Sequence, residues 1–136
     1  MKTLHKHLKP IVAILLTTTL SASCGQTTNN DLIIGKWQFE KFISEFEGSG
    51  ISKDEAKMLL DANNVNKGLT LTFTSENKFQ SEQNGGLETN NSKGRYSIIG
   101  KNVLVIMGDT SRILQLDKNY LKLYSKGRPI VTFKRL

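Results

Sequence analysis

Residues 68–74 read Gly-Leu-Thr-Leu-Thr-Phe-Thr, and this stretch decides the fold class. Leu69, Leu71 and Phe73 alternate with threonines, which is the period of two expected of a strand with one buried face. The same period recurs along the chain in short segments separated by turns that contain Gly, Asn or Asp. It predicts eight strands, at residues 35–43, 69–74, 78–83, 94–99, 103–107, 112–116, 120–124 and 130–135.

The short turns determine how these strands pair. Parallel neighbours need a long crossover connection, so sequential strands are expected to pair antiparallel. Eight antiparallel strands in one small domain can remove their exposed edges by closing into a ring. The sequence therefore predicts an all-β fold, an eight-stranded antiparallel up-and-down barrel. An incompletely closed, strongly curved sheet or a small sandwich is the alternative.

One short helix is predicted after the first strand. Residues 52–55 (Ser-Lys-Asp-Glu) match the capping box that starts a helix, and residues 63–64 (Asn-Asn) end the segment. Ala56, Leu59 and Leu60 fall on one face at helical spacing. We expect this apolar stripe to pack on the barrel and the helix to cover one open end.

The N-terminus has the features of an export signal. Three lysines precede an uncharged run over residues 11–20, and small residues at 21–23 precede Cys24. The run is about half of the roughly 20 apolar residues that a membrane-spanning helix needs, so a transmembrane anchor is the weaker interpretation. Residues 21–24 (Ser-Ala-Ser-Cys) resemble the lipobox of bacterial lipoproteins, in which the cysteine thiol is acylated with chains such as palmitate. Ser21 stands where the usual box has Leu.

This resemblance implies the domain organisation. Residues 1–23 are a lipoprotein signal peptide, 24–33 are the lipidated Cys24 with a flexible tether, and 34–136 are the barrel domain. Gly25 replaces the Asp that marks inner-membrane retention in lipoprotein sorting, so the resemblance favours an outer-membrane anchor in the cell envelope. The alternative is an ordinary signal cleaved nearby, with Cys24 a free thiol.

Composition excludes several classes of function. Both histidines lie within residues 1–23 and the only cysteine is the lipidation candidate, so residues 25–136 offer no His or thiolate for a nucleophile, zinc or haem site. We expect no enzyme activity, no metal and no cofactor. Two carboxylate pairs remain, and they fit surface and a helix start better than catalysis: Glu45 with Glu47, and Asp54 with Glu55. Without the three signal lysines, 16 of the 19 Lys and Arg face 12 Asp and Glu, and a net charge of +4 argues against a nucleic-acid partner.

Four motifs in order give the chain a family resemblance. Residues 35–37 (Gly-Lys-Trp) resemble the Gly-x-Trp signature of lipocalins. The chain from residue 34 to 136 resembles the short bacterial lipocalin-like lipoproteins through three further matches: Leu-Thr-Phe at 71–73, Gly-x-Tyr-x-Ile at 94–98 and Phe-Lys-Arg at 133–135.

The resemblance implies how the barrel closes. In lipocalins, an Arg or Lys of the last strand packs over that Trp at the closed end, and Arg135 is the matching residue here, with Lys134 second. A guanidinium over an indole face is favourable by roughly 0.5–2 kcal/mol. Trp37 and Arg135 are thus expected to be structural. The helix after the first strand departs from the long open loop of many lipocalins.

An eight-stranded barrel is just wide enough for its own side chains or for one small ligand. Tyr120 and Tyr124 share one face of their strand and could line the barrel or form an outer patch for a protein. The sequence predicts an envelope lipoprotein that binds a small hydrophobic ligand. The alternative is a protein-binding lipoprotein (an inhibitor, immunity or assembly factor) with a packed barrel. The candidate lining residues, each of which taken alone fits a plain core better than a pocket, are Phe39, Leu71, Phe73, Phe79, Tyr96 and Ile98.

Overall fold

The computed structural model describes residues 28–44, 51–84 and 91–136. Cys24, the predicted signal and the pair Glu45 and Glu47 lie outside the described residues. The elements are α1 (Asn29–Ile33), β1 (Gly35–Ile43), α2 (Lys53–Val65), β2 (Leu69–Phe73), β3 (Lys78–Gln83), β4 (Asn91–Ile99), β5 (Val103–Ile106), β6 (Asp109–Leu116), β7 (Tyr120–Tyr124) and β8 (Ile130–Arg135).

The eight strands form one closed barrel in sequence order, and every neighbouring pair is antiparallel. The ring closes where β1 meets β8, with Phe39 opposite Phe133. The predicted up-and-down barrel with one helix after the first strand is therefore confirmed. The curved open sheet and the sandwich are wrong.

Two strands begin earlier than predicted. β4 starts at Asn91, where it pairs with Glu82, and β6 starts at Asp109, where it pairs with Ile106. Both extensions consist largely of polar residues at the rim of the barrel, so no apolar alternation marks them in the sequence. At these positions backbone pairing extends the strands although most of the side chains remain exposed.

Helix α2 begins at the predicted capping box. The Ser52 N–H donates to Glu55 Oε2 (2.9 Å), and the Glu55 N–H donates to Ser52 Oγ (3.2 Å). The expected apolar stripe is only partly right, because Leu59 is half-buried whereas Leu60 is 60% exposed and Ala56 is also exposed. The helix contacts the barrel through one narrow edge, which leaves Leu60 on its flank.

A divergence between β1 and β2 explains where α2 sits. Pairing between these strands stops at Gln38 opposite Thr70, although β1 continues along β8 to Ile43. In the gap, the Phe42 N–H donates to Asn63 Oδ1 of α2 (2.6 Å). α2 therefore replaces missing strand pairing at one end of the barrel, which we call the open end.

Helix α1 was not predicted, and it makes the folded unit begin earlier than the predicted tether boundary at residue 33. Thr28 precedes the helix, and its hydroxyl donates to Asp31 Oδ2 (2.7 Å), which helps to hold the pKa of that carboxyl below its ordinary value. Ile33 is fully buried, and its carbonyl accepts from Trp37 Nε1 (2.8 Å). Residues 28–33 thus belong to the barrel. None of the helices in the described ranges is long and apolar enough to cross a membrane.

Arg135 joins α1 to the last strand at the opposite, closed end. Its Cζ lies 4.1 Å from the centroid of the Trp37 ring. Its Nη1 donates to the Ile34 carbonyl (2.8 Å), its Nε donates to the Lys118 carbonyl (3.0 Å), and its Nη2 donates to a carbonyl in α1. One guanidinium therefore binds the chain entering β1, the β6–β7 turn and the indole face.

The first prediction concerns Gly35, whose φ is +138° and whose missing Cβ would lie 2.5 Å from Arg135 Nη1. Gly35→Ala should lower the free energy of unfolding by roughly 3–5 kcal/mol, because it combines backbone strain with displacement of the guanidinium. Gly100→Ala is the matched control, since Gly100 also has a positive φ (+61°) but no atom within 4 Å of its Cβ position. It should cost roughly 1–2 kcal/mol. Urea unfolding measures both, and equal losses would contradict the role given to Arg135.

Candidate functional site

The interior of the barrel can be assigned from strand register, because alternate residues of each strand point inward. Towards the closed end the inward side chains form a packed floor, each no more than 7% exposed. Its members are Ile33, Trp37, Phe39, Leu71, Phe73, Phe79, Tyr96, Leu104, Ile113, Leu121, Leu123 and Phe133.

Five of the six predicted lining residues belong to this packed floor. The Phe73 ring lies 5.4 Å from the Phe79 ring and 5.0 Å from the Tyr96 ring, centroid to centroid. Phe39 packs edge-on against Phe133 at 6.1 Å. These distances are those of rings in direct contact, so Phe73, Phe79 and Tyr96 form one ring cluster and Phe39 packs on Phe133 as part of the core.

The Tyr96 hydroxyl donates to the Thr74 carbonyl (2.8 Å) in the β2–β3 turn, so it is not directed at a ligand in the barrel. Burial raises the pKa of Tyr96, so the hydroxyl keeps its proton and remains a donor. Its hydrogen bond serves the closed end of the barrel. Ile98, the sixth predicted residue, faces inward opposite Leu104 and is only half-buried.

Sequence reasoning missed the inward-facing residues near the open end, which we call the mouth layer. Register places Ser81 opposite Leu71 of the floor and Ser111 opposite Leu104. Unlike the floor residues, they are half-buried or, for Ser92, exposed. The members of the mouth layer are Phe42, Leu69, Ser81, Gln83, Ser92, Ile106, Ser111, Ser125 and Val131.

The mouth layer has a polar and an apolar side. Ser111 and Ser125 join β6 to the end of β7 by an Oγ–Oγ hydrogen bond of 2.9 Å. Ser81 and Ser92 face each other across β3 and β4. The apolar members on β1, β2, β5 and β8 pack on the floor below them. The sequence does contain a signal for this layer, because the serines lie at the same two-residue spacing as the apolar floor residues. The strand pattern was followed through apolar residues only, so the serines were missed.

A groove of about 550 Å³ opens at the rim, between α2 and the β7–β8 turn. Met58, Leu59 and Ala62 line it from the helix, and Pro129 lines it from the turn. Glu55 and Arg128 add one charge of each sign. Its size lies within the roughly 300–1,000 Å³ of small-molecule sites.

Two solved structures resemble this barrel. A lipocalin-like protein from Bacteroides uniformis matches with a TM-score of 0.52 at 15% identity, over 77% of this chain and 99% of its own. The fold is lipocalin-like. A DUF4847 family protein from Bacteroides vulgatus matches with a TM-score of 0.51 at 16% identity, over 76% of this chain and 93% of its own. No family model and no curated protein matches the sequence.

The outer face of the lipocalin-like barrel carries the two tyrosines of β7. Tyr120 pairs with Lys134, and Tyr124 pairs with Arg112. Both tyrosines are half-buried and alternate with the buried leucines of the same strand, so they point away from the interior. Of the two predicted placements, the outer one is observed. Within the described ranges no three His, Cys, Asp or Glu residues cluster closely enough to hold a metal ion.

The second prediction compares the stability lost when a buried floor side chain is truncated with that lost at a half-buried inward side chain. Phe73→Ala should lower the free energy of unfolding by about 3–5 kcal/mol, because Phe73 is 1% exposed and contacts two rings. Ile98→Ala, also inward-facing, should cost about 1–2 kcal/mol, since Ile98 already contacts solvent. Chemical denaturation of both variants measures the difference. Similar costs would contradict a packed floor.

Proposed function

We propose that this protein is a cell-envelope lipoprotein whose lipocalin-like barrel binds one small hydrophobic ligand at the open end. The observation that carries this proposal is the change in exposure along the inward face. Floor residues such as Phe73 and Leu104 are almost fully buried, whereas mouth-layer residues such as Phe42 and Val131 are half-buried. A barrel interior with an apolar floor and partly exposed side chains above it suits a small ligand.

The groove beside α2 supports the same proposal. It opens at the end of the barrel where β1 and β2 have separated, and most of its lining atoms are apolar. Met58 is 70% exposed there, and a flexible thioether side chain adapts to ligands of varied shape. A ligand that spans the mouth layer and this groove would cover apolar surface on both.

Anchoring follows from the N-terminal sequence. We propose that residues 1–23 are removed and that Cys24 carries the acyl chains, which make the membrane a partner of the protein. More than one chain gives a stable anchor, because each buried methylene contributes about 0.8 kcal/mol. Gly25 supports the outer membrane as the destination. We further propose that the protein acts by binding, without enzyme activity, cofactor or nucleic acid.

A protein-binding role is the second candidate. Tyr120 and Tyr124 on the outer face favour it, since tyrosines next to basic residues are common in interfaces. In that role the barrel interior would be a core only, and the partner would be another envelope protein.

The third prediction tests the ligand site with adjacent residues on opposite faces of β3. Ser81→Phe fills the mouth layer, whereas Gln80→Phe places the same ring on the outer face. Because Ser81 is inward, Ser81→Phe should abolish uptake of the neutral dye Nile red, and Gln80→Phe should leave it unchanged. Fluorescence titration of the mature chain with Cys24→Ser measures both.

The same titration decides between the two candidates. Saturable, equimolar uptake that only Ser81→Phe removes would support the ligand-binding role. A wild-type chain that takes up no dye, or equal losses in both variants, would exclude a site in the mouth layer and leave the protein-binding role.

The fourth prediction concerns the lipid. Cells fed an alkyne analogue of palmitate should label the wild-type protein and Thr27→Ala, but not Cys24→Ala, since only residue 24 offers a thiol. The unlabelled variant should also keep its signal and migrate as a larger species. Label on Cys24→Ala, or none on the wild type, would refute lipidation at this residue.

A further inference from the structure

The charge of the mouth layer restricts what ligand it can hold. Among the described residues, the inward positions near the open end include no Lys or Arg, and the charged residue that register places there is Asp109, opposite Ile106. Asp109 is exposed at the rim. Basic side chains of the neighbouring strands, such as Arg112 and Lys93, alternate with the inward serines and lie on the outer face.

The sequence between β1 and α2 and between β3 and β4 contains two segments without basic residues. Residues 45–50 are Glu-Phe-Glu-Gly-Ser-Gly, and residues 85–90 are Gly-Gly-Leu-Glu-Thr-Asn. Both contain carboxylates and neither contains a basic residue. Arg128 is the cation that lines the groove, and it is exposed there together with Glu55.

An ionised carboxylate cannot enter such a layer cheaply. Burial of a charge without a partner is costly, and even in a half-buried layer a carboxylate that finds no cation on the inner wall loses hydration without gaining an ion pair. The serine hydroxyls can instead donate to and accept from neutral groups. Ser111 and Ser125 bond to each other, and Ser125 Oγ also donates to the Thr110 carbonyl (3.5 Å), so both hydroxyl oxygens keep acceptor capacity.

We infer that the barrel selects neutral, hydroxyl-bearing amphiphiles over carboxylic acids with the same hydrocarbon tail. The tail contacts the apolar members of the mouth layer and the groove, and the hydroxyls of the head group bond to the serines on β3, β4, β6 and β7. This inference rests on the proposed ligand-binding function and specifies its ligand.

The experiment compares three ligands that differ in head group only: monolaurin, which is neutral, lauric acid and dodecylamine. The mature chain with Cys24→Ser is used, because residue 24 precedes Thr28, the first described residue, and the substitution removes only the lipid-bearing thiol. Competition against Nile red at mildly alkaline pH, where lauric acid is ionised, should show monolaurin binding about tenfold or more tightly than lauric acid. Dodecylamine should also bind more tightly than lauric acid, because Asp109 at the rim has the opposite charge to its ammonium group.

Serine variants test the hydroxyl contacts. Ser111→Ala with Ser125→Ala should weaken monolaurin binding about tenfold more than it weakens Nile red binding, because two hydrogen bonds to the head group are lost and apolar contacts are kept. Ser97→Ala, on the outer face of β4, is the matched control and should change nothing. Ser111→Lys adds a cation to the inner wall and should shift the preference towards lauric acid.

Each outcome is informative. Lauric acid binding as tightly as monolaurin, or a double variant that binds monolaurin normally, overturns the inference while leaving the ligand-binding function intact. If the double variant does not fold, Ser81→Ala replaces it with the same expectation. A chain that takes up neither Nile red nor any of the three ligands overturns the proposed function and this inference with it.

Discussion

The stacking of the Arg135 guanidinium on Trp37 is the contact on which the closed barrel depends. The same group binds carbonyls of Ile34 and Lys118, so one side chain joins the start of the first strand, the end of the last strand and a turn between them. It approaches so closely that position 35 has no room for a side chain. Gly, Trp and Arg at these positions are therefore parts of one interaction, although a hundred residues separate the first from the last.

The strand pairing that closes this end of the barrel differs from the pairing at the open end. β1 pairs with β8 from Trp37 to Ile43 but with β2 only from Gly35 to Gln38, so β1 and β2 separate beyond Gln38. α2 bridges the separation with a side-chain bond from Asn63 to the backbone of Phe42. Since no residue of α2 is fully buried, this helix is held less firmly than the strands. The accessible upper interior follows from this unequal closure.

Most strands were predictable because their floor residues, such as Trp37, Leu71 and Phe73, are apolar and alternate with polar neighbours, and the start of α2 was predictable because Ser52 and Glu55 act locally. α1 was not, since a helix of five residues has little stability of its own and depends on burial of Ile33 and on Arg135. The ring cluster around Phe73 was found, but its packing depends on distances that no sequence pattern contains. The mouth layer was missed because serine at an inward position looks like a surface residue until strand register is known.

The position of α1 has a consequence for orientation at the membrane. Asn29 of this helix donates to the Lys101 carbonyl in the β4–β5 turn, which places the start of the folded unit at the closed end. Only four peptide units separate Thr28 from Cys24, and a fully extended chain of that length spans about 14 Å. A lipid on Cys24 would therefore hold the closed end beside the bilayer and turn the mouth away from it. Cargo would reach such a barrel from the aqueous side, not by lateral transfer out of its own leaflet.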